Sequence, residues 1–161
     1  MAGELGLYLV NQGAAGSGAW PVTMADDWHP ALVADVTDDD SDKTFTVPAS
    51  TEYQLLSVLV NLVSTATAGN RQIVVLVTTG ADVVIAEIPA GVVQAASLTR
   101  RYTFGVGNPD LLAFRDTDVL LTPLPVLCLP AGYKVRVYDN AAIDAAADDM
   151  HVQMLVLSRT V

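Results

Sequence analysis

Beyond residue 44 apolar and polar side chains alternate with a period of two, as a strand with one buried face requires. In residues 52–67, Leu56, Val58, Val60 and Leu62 fall on one face, and Leu55, Ser57, Leu59 and Asn61 on the other. Residues 71–79 form a β-branched run bounded by Gly69-Asn70 and Gly80, and residues 83–88 stop at Pro89. In residues 98–104, Leu98, Arg100, Tyr102 and Phe104 share a side. Short segments at 44–47, 119–122 and 126–129 are fenced by prolines. Residues 133–138 turn Tyr133, Val135 and Val137 inward and Lys134 and Arg136 to water, and residues 151–158 line up Val152, Met154 and Val156. Eight or nine strands separated by turn signals predict an all-β fold, a two-sheet antiparallel β-sandwich of jelly-roll type. Residues 91–97 and 141–147 hold enough alanine for about two helical turns each. No long helix separates the strands, which excludes an α/β sheet.

The first 43 residues read differently. An apolar hexamer at 5–10 is followed by small residues at 13–19 and then by seven aspartates between positions 26 and 42 without a base. Glycine freedom and charge repulsion predict an extended arm over residues 1–43, with the sandwich domain at 44–161. Leu5, Leu7 and Leu9 share one face of the hexamer, with Tyr8 and Val10 on the other. A strand this short is unstable alone, so it is expected to add to the edge of a neighbouring subunit or partner. Trp20 and Trp28 are the anchors expected beside it. The alternative is that residues 5–10 are the first strand of the domain's own sheet.

Charge narrows the partners. Eighteen acids against eight bases give the 161-residue chain a net charge of −10. Replacing counterions on nucleic acid takes massed Lys and Arg, and an anionic membrane repels such a chain, so neither is an expected partner. No apolar run is long enough to span a membrane, and the first ten residues carry Glu4 and no basic cluster, unlike a secretory signal. The 52% hydrophobic content supports a core with apolar surface to spare for an interface.

Chemistry is sparse. His29 and His151 are the two histidines, and no Gly-x-Ser-x-Gly elbow occurs. No enzyme activity and no cofactor are expected. Gly13-x-x-Gly16-x-Gly18 lacks the spacing, the Lys-Ser/Thr and the following helix of a phosphate-cradling loop. The aspartates of residues 37–42, and Asp139, Asp144, Asp148 and Asp149 beside His151, offer oxygen ligands for calcium without EF-hand spacing; a solvated acidic loop is the plainer expectation. Cys128, the single cysteine, lies in an apolar strand and is expected to be a small buried hydrophobe. Arg100-Arg101-Tyr102, followed by Phe104, is the one cationic and aromatic cluster, better suited to pairing with acids than to stacking bases.

Leu129-Pro-Ala-Gly-Tyr-Lys-Val-Arg-Val-Tyr-Asp139 leads into a small-residue acidic loop, Asn140 to Met150, and a return strand from His151. This half of the chain, from about Arg71 onward, resembles structural proteins of tailed-bacteriophage virions, most of all jelly-roll capsid decoration (cement) proteins. The resemblance implies a non-enzymatic protein made in the host cytoplasm and bound to the major capsid protein on the capsid exterior. It also implies self-association, with a trimer favoured over a dimer, and transfers no site residue. The contacts expected from the arm are Leu5, Leu7, Tyr8, Leu9, Trp20 and Trp28. A head-fibre, tail or adsorption module binding host glycan, and a small β-sandwich carbohydrate-binding protein or enzyme, are the alternatives.

Overall fold

A computed structural model describes residues 28–161 apart from positions 36, 38, 40, 116, 142, 145 and 146. It is all-β. The strands are β1 (His29–Ala34), β2 (Lys43–Thr46), β3 (Thr51–Val63), β4 (Ile73–Thr78) and β5 (Val84–Pro89), then β6 (Thr99–Val106), β7 (Val119–Leu124), β8 (Leu127–Leu129), β9 (Lys134–Asp139) and β10 (Asp149–Thr160). Six form one sheet in the order β1-β10-β3-β6-β7, with β8 beside β3; the other four run β2-β9-β4-β5. Without β7 and β8, the first strand pairs with the last, the second with the next to last, and so inward. That nesting is the jelly roll.

The sheets face each other across one apolar core. Val58, Val60, Leu62, Tyr102 and Phe104 fill it from the larger sheet, and Ile73, Val75, Val77, Val135 and Val137 from the smaller. The alternation in 133–138 and 151–158 emerges as expected: Val135, Val137, Val152, Met154 and Val156 are all buried.

Four expectations need correction. Residues 29–34 fall within the segment assigned to the arm, yet they form β1 and pair in register with β10, from His29 opposite Ser158 to Ala34 opposite Gln153. The sandwich therefore starts before residue 44. In β3 the inward set is Leu55, Val58, Val60 and Leu62, because a bulge opposite Leu155 and Val156 leaves Leu56 as an extra residue and shifts the phase. Not every pairing is antiparallel: β7 runs parallel to β6. The intervening loop returns along the outer edge of β7, where Leu111 N donates to Leu121 O and Arg115 and Val119 exchange backbone hydrogen bonds. Residues 91–97 form no helix; Arg71 and Gln94 bridge instead, with two backbone hydrogen bonds of 2.8 and 2.7 Å.

Candidate interaction surface

The outer faces of the two sheets differ in chemistry. On the four-stranded sheet Lys134 pairs with Asp82 at 2.7 Å, Arg136 pairs with Asp42, and the Tyr138 hydroxyl donates to Glu87 at 3.2 Å. The six-stranded sheet presents cross-strand rows set by its register. One runs Leu32–Leu155–Ser57 across β1, β10 and β3. The next runs Ala34–Gln153–Leu59–Thr103–Leu121 across five strands. A third runs His151–Asn61–Arg101–Val119.

None of these positions carries a carboxylate, although the chain bears 18. Leu32, Leu155 and Leu59 are 67, 41 and 38% exposed. Charge gathers at the ends of the face. Arg159 pairs with Glu52 at 2.6 Å at one end; at the other Asp149 opposes Val63, and Asp35 lies 3.6 Å from His151 Nδ1. A leucine-bearing sheet face that has no carboxylate in these rows and is not covered by the described residues is suited to meeting another protein surface.

Trp28 immediately precedes β1 in this sheet. Its ring lies 4.6 Å under the Arg159 guanidinium, a cation–π contact at the end of the face where β1 begins. Of the six contacts expected from the arm, Trp28 is therefore placed at the rim of the candidate surface. Leu5, Leu7, Tyr8, Leu9 and Trp20 lie outside the described residues.

The four-stranded sheet carries a shallow groove of about 540 Å³. Leu76 and Val84 line it together with Thr44 and Thr78, and the Lys134–Asp82 and Arg136–Asp42 pairs flank it. Arg136 also stacks over the Tyr138 ring at 4.9 Å. Its charges are matched within the sheet, so the groove offers hydrogen-bonding groups more than net charge.

At one end of the sandwich a buried polar cluster ties the loops together. Arg71 Nε and Nη2 donate to the two oxygens of Asp148 at 2.6 and 3.0 Å, and Nη1 donates to the carbonyls of Thr67 and Gly69. Thr65 N donates to Asp148 as well. Burial pushes the Asp148 carboxyl up, but the hydrogen bonds from Arg71 and Thr65 outweigh it and hold the group below its ordinary range. Asp148 raises Arg71 in turn by hydrogen bonding. Beside them Gln94 donates to Leu62 O, Leu98 O and Ser64 Oγ and accepts from the Tyr102 hydroxyl, whose titration burial pushes up. Asp144 accepts from the hydroxyls of Thr65 and Thr67. Of the acids considered as calcium ligands, Asp39, Asp42, Asp139, Asp144 and Asp148 have partners within the chain, and among the described residues no three acidic, His or Cys side chains gather at a metal site.

The two histidines do not converge. His29 opposes Ser158 at one end of β10, and His151 lies seven residues along the same strand, about 24 Å away at the rise of an extended chain. Cys128 is exposed on β8, contrary to the expectation of a buried thiol, because it points away from the core between inward-facing Leu127 and Leu129. Arg100 extends over the Phe114 ring at 4.5 Å and pairs with Asp118 at 2.5 Å, the acid pairing expected of that cluster. Periodicity does not single out the leucine-bearing face, because Leu32 meets Leu155 only through the long-range pairing of β1 with β10. Comparison of the sequence with known protein families and with characterised proteins returns no match.

Proposed function

We propose that this chain is a non-enzymatic structural protein of a tailed-phage virion, bound to the major capsid protein on the capsid exterior and to its own copies. The observation that carries this reading is the carboxylate-free, leucine-bearing face on an otherwise acidic jelly roll. Such a face suits a protein that works by holding surfaces together, and the jelly roll is shared by many capsid domains. The net charge of −10 favours a position away from packaged DNA. In this proposal the arm supplies the shell contact, with Leu5, Leu7, Tyr8 and Leu9 as an added strand and Trp20 and Trp28 as anchors.

Cosedimentation with DNA-free shells tests it. The full chain is expected to pellet with shells at a fixed stoichiometry and to raise their melting temperature. A chain lacking residues 1–20 is expected to stay folded by circular dichroism and remain in the supernatant. Equal pelleting of both, or of neither, defeats the proposal.

A second reading has one observation in its favour. The groove beside Tyr138, with ion-paired arginine and lysine side chains over Leu76 and Val84, suits a neutral polar ligand such as a host glycan. Glycan-array binding that is lost on Arg136→Ala, in a chain that does not pellet with shells, would favour an adsorption module.

A further inference from the structure

We propose that the outer face of the six-stranded sheet is where a second copy of this chain docks, sheet against sheet. This rests on that face being an assembly surface and does not depend on the virion role. Two molecules at −10 repel, and a contact that buries a carboxylate adds the cost of desolvating it. The cross-strand rows through Leu32, Leu155, Leu59 and Leu121 let the copies meet without burying one, since Arg101 and His151 are the ionisable groups there.

Charge complementarity selects the occupant. A basic partner would be met by carboxylates, which these rows lack. An acidic partner would be met by more than the one arginine they hold. A leucine-bearing face with no carboxylate and a single arginine in its outermost row fits another of the same kind, and its own copy is the partner always present with it.

The size agrees. Five strands about 4.8 Å apart and some seven residues long give a flat area of about 24 by 24 Å, and projecting side chains raise the accessible area toward the ~800 Å² per partner of a standard interface. Sheets stack about 10 Å apart, so Leu32, Leu59 and Leu155 can interdigitate with their counterparts. A self-complementary face closes on a two-fold axis. The unit is then a dimer, in place of the trimer implied by the resemblance to decoration proteins.

Sedimentation equilibrium of the full chain from 5 to 200 µM, together with hydroxyl-radical footprinting, tests the contact. The wild type is expected to be a reversible dimer of twice the 16.9 kDa chain mass. Leu155→Asp, on the solvent face, is expected to weaken dimerisation at least about tenfold, with circular dichroism unchanged. Val84→Asp, on the other sheet, is expected to leave it intact. Footprinting of the wild type, which needs no variant to fold, is expected to show Leu32 and Leu155 losing reactivity as concentration rises while Val84 does not. A wild-type monomer at 200 µM overturns the contact, as does a dimer that survives Leu155→Asp or footprints that ignore concentration. Protection of Leu155 that appears only on shells would assign the face to the capsid protein and overturn the contact as well. Shell binding is scored separately: a monomer that pellets with shells keeps the virion role and loses the dimer, and a dimer that does not pellet does the reverse.

Discussion

Among the described residues Arg71 is the largest side chain with no exposure to solvent, and it is held by one carboxylate and two carbonyls. Removing either member of a buried ion pair strands the other, so Arg71→Ala is expected to cost about 3–5 kcal/mol, read as a lowered urea midpoint. The pair also sets an acid limit. Asp148 titrates below its unfolded value, so its contribution is fully present above about pH 4 and is lost as pH falls through the lowered folded pKa. Arg71 stays charged throughout that range. A second carboxyl follows the same sign: hydrogen bonds from Lys43 and then Ser41 hold Asp39 at about 2. An NMR titration is expected to show the Asp39 carboxyl ionised at pH 3, where an unperturbed aspartate is mostly protonated. Neither partnership was legible in the sequence. Arg71 and Asp148 are 77 positions apart, and Asp148 stood out there only as one acid in an acidic loop.

Among the elements, β3 and β1 show what periodicity reads and what it misses. A period of two placed Val58, Val60 and Leu62 on one face correctly, but it cannot register an inserted residue. Leu56 is that residue, lying where β6 ends its pairing with β3 and β8 begins. Deleting Leu56 leaves Leu55 and Val58 both inward, whereas deleting Leu59 turns one half of the strand inside out. The Leu56 deletion is expected to fold and melt cooperatively, and the Leu59 deletion to give no cooperative transition by circular dichroism. β1 escaped notice for another reason. Pro30 lacks an N–H and reads as a strand breaker, yet it is tolerated on β1, which has one partner among the described residues. Ala31 and Val33 are its only side chains against the core, too few to stand out from the aspartates around them.

For the molecule as a whole, the two-sheet architecture was legible because most strands bury one face against a single core. The candidate surface was not, since it exists only when β1, β10, β3, β6 and β7 are set side by side, and that order follows from pairings across more than a hundred residues. Its chemistry predicts a direction for salt. Raising sodium chloride from 20 to 500 mM screens repulsion between two −10 molecules and leaves apolar contact intact, so dimerisation is expected to tighten by sedimentation. Binding to DNA would weaken steeply over the same range.

The nesting of first strand with last has a further consequence for how the protein is made. β10 lies between β1 and β3 and is the one partner of β1 among the described residues, although 114 positions separate the end of β1 from the start of β10. On the ribosome β1 therefore waits for β10 until nearly the whole domain has been synthesised, and loop closure over that distance makes the final step slow. During the wait, β3 also lacks the neighbour that covers one of its edges. A nascent chain stalled before residue 149 is expected to be protease-sensitive throughout, and one that has released residue 160 from the exit tunnel to become resistant in a single step.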